Sequence, residues 1–240
     1  MNILRTMLIF GLLLTKVFAQ DSTNANISYK FKLGLNLGIC LINPKNVNDH
    51  ISISNAITSS SASAIRSAPE MSIAFIYRPF DDNKIFILRA GYIWTERKYH
   101  LLIPETTNDP TITGYSTGHI TEMYTAYPIS IGFGLCSSSL KSQLQAELVY
   151  GLGYIKETQK ITSSSGSAVY FNRTFFSPSY GARVAGSTEF SISKNVGINF
   201  EISYRFLVFG DYRDEKNSQP VNITFHYSGV NLHSGLSIYF

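Results

Sequence analysis

Apolar side chains alternate with polar or small ones in eight stretches of the chain. In the last stretch, Gly229 to Phe240, every second position is apolar and the final residue is aromatic. Period-two patterning of this kind is typical of β-strands whose two faces meet different surroundings. The eight predicted strands are Ser28–Ile42, Glu70–Arg78, Ile85–Arg97, His119–Leu135, Ser142–Ile155, Ser179–Phe190, Val196–Phe206 and Gly229–Phe240.

The connections between these stretches alternate between long and short. The short ones are Pro79–Lys84, Cys136–Lys141 and Ser191–Asn195; the long ones are Asn43–Pro69, Lys98–Gly118, Lys156–Pro178 and Val208–Asn222. This asymmetry is typical of outer-membrane barrels. We therefore predict an all-β fold, an eight-stranded antiparallel up-and-down transmembrane β-barrel with short periplasmic turns and four long extracellular loops.

Aromatic and charged residues indicate which face meets lipid. Aromatics fall at the strand ends, as in the girdles that flank a membrane. They are Tyr29, Phe31, Tyr77, Phe86, Phe133, Phe190 and Phe240 at the periplasmic ends and Trp94, Tyr127, Tyr154, Tyr180, Tyr204 and Phe206 at the outer ends. The polar faces carry Arg89, Glu147, Arg183, Glu189, Glu201 and Arg205. We predict that these charges pair inside a closed barrel, in contrast to a soluble, lipocalin-like barrel.

The N-terminus predicts export. Residues 1–19 combine Arg5, an apolar run from Met7 to Leu14 and a small-residue cleavage pattern, which indicates a signal peptide. Residues 20–240 then form one barrel domain in the cell outer membrane. No apolar run approaches the roughly 20 residues of a membrane helix, which excludes an α-helical membrane protein. Removing Arg5 and Lys16 from the 20 basic residues leaves 18 against 16 acidic ones, which gives no case for a nucleic-acid partner.

Strand number and direction give two further expectations. The interior of an eight-stranded barrel is just wide enough for side chains to fill, so we predict a plugged lumen. Cys40 lies near the outer end of its strand and Cys136 at a periplasmic turn, a separation of roughly 25 Å. Because a disulfide needs Cα atoms within about 7 Å, we predict two free cysteines.

Several short motifs resemble the PorT-like outer-membrane β-barrel family of Gram-negative bacteria. They are Tyr124-Thr-Ala-Tyr127-Pro128, Gly151-Leu-Gly153, Asn199-Phe-Glu-Ile-Ser-Tyr-Arg205 followed by Gly210-Asp211, and the closing Gly235-Leu-Ser-Ile-Tyr-Phe240. The resemblance spans the predicted mature chain. It implies an eight-stranded membrane barrel, and does not imply a part in protein secretion.

Candidate chemistry is sparse. His226 and Ser228 resemble the His-x-Ser pair of the outer-membrane lipid A deacylase PagL, and alternation would put both side chains on one face. An acid to orient the imidazole is missing, since no Asp or Glu follows Glu215. His233 and Ser234 face apart, and the five histidines show no metal-ligand spacing. We therefore assign no catalytic, cofactor-binding or metal-binding residue and expect no cofactor.

These observations favour a non-enzymatic outer-membrane barrel. Its body would anchor the extracellular loops or form part of an envelope assembly. Its partners would be outer-membrane lipids, together with other envelope proteins or an extracellular partner reached through the loops. Two alternatives stay open, a PagL-like lipid hydrolase using Ser228 and His226, and a narrow channel for a small solute.

Overall fold

The fold is given by a computed structural model, which describes residues 30–42, 44, 47–49, 63–79, 83–105, 114–137, 140–216, 220–221 and 223–240. The predicted signal peptide, 1–19, lies outside the described residues. So do Ser28 and Tyr29 of the first predicted strand and Asn222 at the end of the last predicted loop.

The described residues form eleven strands and one helical turn at 47–49. The strands are β1 Phe31–Ile42, β2 Ser67–Tyr77, β3 Lys84–Glu105, β4 Gly114–Cys136, β5 Gln143–Thr162, β6 Ala168–Ser191, β7 Val196–Phe209, β8 Tyr212–Asp214, β9 Pro220–Val221, β10 Phe225–His226 and β11 Gly229–Tyr239.

Eight of these strands close into a ring. Strands β1 to β7 pair in chain order, and β11 pairs with both β7 and β1, which closes the barrel. Every neighbouring pair is antiparallel. The predicted eight-stranded up-and-down barrel is therefore confirmed.

The two ends of the barrel differ, as the connection lengths predict. Connections 78–83, 137–142 and 192–195 lie at one end, which we call the turn end. Phe240 lies at that end too, because its carbonyl accepts the backbone N–H of Lys30 at 3.2 Å. The strand ends at Ile42, Ser67, Glu105 and Gly114 lie at the opposite end, which we call the loop end.

Two of the predicted long loops are wrong in their extent. Strands β3 and β4 stay paired out to Glu105 and Gly114, so most of Lys98–Gly118 is strand. Strands β5 and β6 stay paired to Thr162 and Ala168, and only 163–167 remains as a turn within Lys156–Pro178. The four strands continue past the ring as one sheet because their inner face packs on the segment that follows β7. That segment, predicted as the loop Val208–Asn222, holds β8 and β9.

The outer surface of the ring is apolar, as predicted. Outward positions carry large side chains that are strongly exposed, such as Leu148 at 72% and Phe133 at 64%. Aromatics of the two predicted girdles contact one another across neighbouring strands, as in the stacked pair Phe31–Tyr77 and the T-shaped pair Tyr127–Tyr154. The strand length from Phe86 to Trp94 on β3 is about 27 Å. Because strands of such barrels tilt by ~40° from the barrel axis, this corresponds to a height of about 20 Å along the axis.

This exterior is the surface of a membrane-spanning barrel. Its height is close to the roughly 25 Å apolar band of outer-membrane barrels, and the girdles border it on both sides. Among the described residues, no helix has the length and hydropathy needed to cross a bilayer.

A charge placed in the middle of this band should destabilise the protein strongly. We expect Leu148→Arg to lower the free energy of unfolding by about 2–4 kcal/mol, because the guanidinium would lie in hydrocarbon. Thr158→Arg, on the outward face of the same strand but beyond the girdle, should change it by less than about 0.5 kcal/mol. Denaturant titration in lipid vesicles measures both; equal, small effects would contradict the membrane band.

Candidate functional site

The centre of the barrel holds a closed cycle of four charged side chains. Arg89 lies 2.8 Å from Glu201 and 3.4 Å from Glu147, measured between nitrogen and oxygen. Arg183 bonds the same two carboxylates from the other side. All four side chains are buried, and Ser130 donates a further hydrogen bond to Glu147. Each charge in this cycle therefore meets two opposite charges.

Further side chains extend these contacts across the barrel toward the loop end. His233 Nδ1 lies 3.2 Å from Glu201, and its Nε2 lies 3.5 Å from Glu70. Arg205 donates to Glu70 at 2.7 Å and to the Cys40 sulfur at 3.3 Å. We call these eight residues, from Arg89 to Cys40, the ionic network.

A separate ion pair, Lys32–Glu189 at 3.1 Å, lies at the level of Tyr239 on the turn-end side of the network. With it, these ion pairs join four basic side chains, Lys32, Arg89, Arg183 and Arg205, to four acidic ones, Glu70, Glu147, Glu189 and Glu201.

The predicted interior charges are confirmed, and four further ones were missed. Lys32, Glu70, Arg78 and His233 are also buried. The period-two pattern could have found them, since each occupies a polar-face position of its strand. It could not show that His233 lies between two carboxylates, because those residues belong to three different strands.

Apolar side chains fill the interior on both sides of the ionic network. At the turn end, Ile76, Ile85, Ile87, Leu140 and Tyr239 form a buried cluster with Cys136. At the loop end, residues after β7 fold back into the mouth of the barrel and place aromatic rings there. We call Phe209, Tyr212, Phe225 and Tyr227 the aromatic cap; all four are at most 1% exposed.

The aromatic cap fits into space left by two glycines of β5. A Cβ on Gly151 would lie 2.8 Å from the Phe209 ring, and one on Gly153 would lie 2.7 Å from the same ring. Real Cβ atoms do not approach rings so closely, so any side chain there would displace the cap. The Gly151-Leu-Gly153 motif is therefore explained by packing.

A polar cluster ties the projecting sheet to the cap. Glu122 of β4 accepts hydrogen bonds from Tyr99 at 2.9 Å and from Arg97 and Tyr124. Tyr124 in turn stacks on Phe225 of the cap, with 4.7 Å between ring centroids. Burial, and then the Glu122 carboxylate, raises the pKa of the Tyr99 phenol, which therefore stays protonated and donating at neutral pH.

The candidate pair His226 and Ser228 lies in the strand pairing at the loop end. Ser228 Oγ accepts the backbone N–H of Leu207 at 2.9 Å and donates to its carbonyl at 3.3 Å. His226 pairs with Val208 in the register of β10 and β7. The Ser228 hydroxyl thus bonds to the β7 backbone, which gives it a structural role.

The two cysteines form no disulfide and are buried at opposite ends of the barrel, as predicted. Cys40 belongs to the loop-end apolar cluster and Cys136 to the turn-end one. Across the described ranges, no three His, Cys, Asp or Glu side chains converge as metal ligands would.

Comparison with known proteins adds structural relatives only. No protein-family model and no curated protein matches the chain. Solved structures with similar barrels include OprG from Pseudomonas aeruginosa, with 9% identity, a TM-score of 0.40 and coverage of 89% of this chain and 96% of that one. Ail, the attachment invasion locus protein of Yersinia pestis, has 11% identity, a TM-score of 0.35 and coverage of 88% and 99%.

The outer membrane protease OmpT from Escherichia coli is also similar, with 10% identity, a TM-score of 0.37 and coverage of 92% and 100%. At these identities and scores, the function has to be argued from the residues of this chain. Its own apolar band, its two girdles and its charged interior are those of an outer-membrane β-barrel.

The ionic network should be costly to break at one member. We expect Glu201→Gln to lower the free energy of unfolding by about 3–5 kcal/mol, because Arg89 and Arg183 would lose a shared buried counter-charge. Glu96→Gln is the matched control: its ion pair with Lys98, at 3.0 Å, is largely exposed, so the loss should be below about 1 kcal/mol. Similar values for both variants would show that the network is solvated.

The cap should respond to a single added methyl group. We expect Gly153→Ala to cost about 1–3 kcal/mol, because the methyl would clash with the Phe209 ring. Gly34→Ala, where the nearest atom lies 3.7 Å from the added Cβ, should be close to neutral. The same unfolding assay compares them, and a neutral Gly153→Ala would contradict the packing of the cap.

Proposed function

We propose that the protein is a non-enzymatic outer-membrane anchor that presents its projecting sheet to another envelope component or to an extracellular partner. In this proposal the turn end faces the periplasm and the loop end faces outward. The closed interior supports this proposal most directly, because a barrel filled with paired charges and aromatic rings is a rigid membrane anchor for the projecting sheet.

The filling of the interior argues against a channel. Arg89, Arg183, Glu147 and Glu201 cross the centre of the barrel, and apolar clusters lie on both sides of them. A solute would have to separate several buried ion pairs, which costs several kcal/mol for each charge left alone. We therefore propose a lumen that does not conduct.

The upper part of β6 is the feature that points to a protein partner. Residues 168–173 pair with β5 on one side, and within the described residues no strand pairs with their other side. Three consecutive large side chains there are exposed, Val169 at 51%, Tyr170 at 65% and Phe171 at 43%. We call residues 168–173 the β6 edge.

An open strand edge with exposed apolar side chains is suited to pairing with a strand of another protein. Because the β6 edge lies beyond the aromatic girdle, lipid does not cover it. The tip of the neighbouring hairpin adds Leu102 and Tyr115, which are also more than half exposed. The proposed partner therefore adds a strand along the β6 edge.

A hydrolase is less well supported, because the Ser228 hydroxyl bonds to the Leu207 backbone.

We further propose that the protein is PorT-like. The shared motifs have clear structural roles here: Gly151 and Gly153 receive the cap, and Glu201 and Arg205 belong to the ionic network.

The β6 edge can be tested by site-specific photo-crosslinking in native membranes. A photoreactive residue at Tyr170 should give one discrete adduct with another protein, whereas the same residue at Phe190, in the turn-end girdle, should give none. The adduct should disappear in the V169S/F171S double variant. No adduct at 170, one that survives the double variant, or stable open conductance of the purified protein in a planar bilayer would contradict the proposal.

A further inference from the structure

A groove of about 460 Å³ opens on the outside of the barrel at the loop-end girdle. It spans β3 to β6, with aromatic walls and one basic side chain at its upper rim. The lining residues are Tyr92, Met123, Thr125, Tyr127, Leu152 and Tyr154, with Lys156 and Thr174 above them.

The strand register explains why a groove forms here. Thr125 pairs with Trp94 on one side and with Tyr154 on the other, so a short side chain lies between two aromatic ones. Just below, Pro128 lacks an N–H to donate, and the paired register of β3 and β4 omits Gly91 and Tyr92. Two residues of the Tyr124-Thr-Ala-Tyr127-Pro128 motif, Thr125 and Tyr127, thus line the groove.

The height of Lys156 matches the lipid headgroups. It lies two residues beyond Tyr154 on the outward face of β5, which places it about 5 Å above the girdle along the axis. The headgroup layer of a bilayer is about 5–7 Å thick on each side. Its ammonium is therefore at the level of lipid phosphates.

Lys156 is the cation of the groove, because the neighbouring charged residues Glu96 and Lys160 contact other side chains. Glu96, in the same cross-strand row, forms its ion pair with Lys98 at 3.0 Å. Lys160, four residues further along β5, lies over the Tyr170 ring at 5.7 Å. Thr174, paired with Lys156 in the register of β5 and β6, adds a hydroxyl beside it.

A second groove lies deeper in the membrane band and shares Tyr92 with the first. It has a volume of about 610 Å³ and a mostly apolar lining from β11, β1, β2 and β3. The lining is Leu35, Asn36, Leu37, Met71, Ser72, Ile73, Ala90, Gly91, Tyr92, Ser234, Gly235 and Leu236. The outward Ala90 and Ser234 leave space there, because they sit among much larger side chains.

We infer that the first groove binds the phosphate of an anionic lipid through Lys156, and that an acyl chain of this lipid lies in the second groove beyond Tyr92. A cation at phosphate height above an apolar groove complements an anionic amphiphile in both charge and polarity. A soluble phosphate would use only the upper half of this surface.

Lipid binding can be measured by native mass spectrometry of the folded protein in detergent, titrated with phosphatidylglycerol. We expect Lys156→Gln to weaken binding about tenfold, because a charge-assisted hydrogen bond is lost. Lys156→Arg should retain the affinity within about twofold, because it keeps the charge. Lys160→Gln, on the same face of the same strand, is the matched control and should bind like the wild type.

The acyl part has its own test. Ala90→Phe should fill the second groove and weaken phosphatidylglycerol binding, and unchanged affinity would overturn the acyl assignment. Equal weakening in Lys156→Gln and Lys160→Gln would show attraction by general surface charge only. Equally tight binding of zwitterionic phosphatidylcholine, or displacement of the lipid by inorganic phosphate, would also overturn the lipid-phosphate site.

Discussion

The structure depends on the pairing of charges inside a narrow closed barrel. A buried ion without a counter-ion costs several kcal/mol, so each basic side chain of the interior needs an acidic partner. Lys32, Arg89, Arg183 and Arg205 meet that requirement with four carboxylates, and their contacts join strands from all parts of the ring. The apolar exterior then follows from the same alternation, since each strand sends polar side chains inward and apolar ones outward.

The filled interior also determines what the rest of the protein can do. Because the ionic network and the aromatic cap fill the interior, the side chains that a partner can contact lie outside the barrel. The projecting sheet is held to the cap by Tyr124, which stacks on Phe225 and donates to Glu122, and the sheet is therefore a continuation of the barrel wall. The β6 edge and the outer groove are therefore on a rigid support.

Much of the fold could be predicted from the sequence because one period-two pattern encodes it. The number of strands, the direction of their faces, the girdles and six interior charges such as Arg89 all follow from that pattern. Strand ends could not be predicted as well: β5 and β6 continue through Lys156–Pro178 because they pack on residues after β7, a contact that no local pattern reports. The position of His233 and the bonds of Ser228 depend likewise on which strands become neighbours.

The groove at Lys156 shows the same limit. In the sequence, Lys156 is one of several charged residues in a predicted polar connection. Only the strand register shows that it lies beside Thr125 and the aromatic walls of the groove. A short side chain forms a depression between two aromatic rings only when the register of three strands places them side by side. The Tyr124 to Pro128 motif was visible in the sequence, but the outward position of Thr125 and Tyr127 in a groove was not.

The seam of the ring joins β1 to β11, the strands most distant in the sequence. A chain released before Gly229 would present two unpaired edges, so closure must be a late event in assembly. The ionic network spans that seam, with Glu70 on β2, Arg205 on β7 and His233 on β11. Closing the ring therefore also completes the ionic network, because His233 lies between Glu70 and Glu201 only when β11 is paired with β1 and β7.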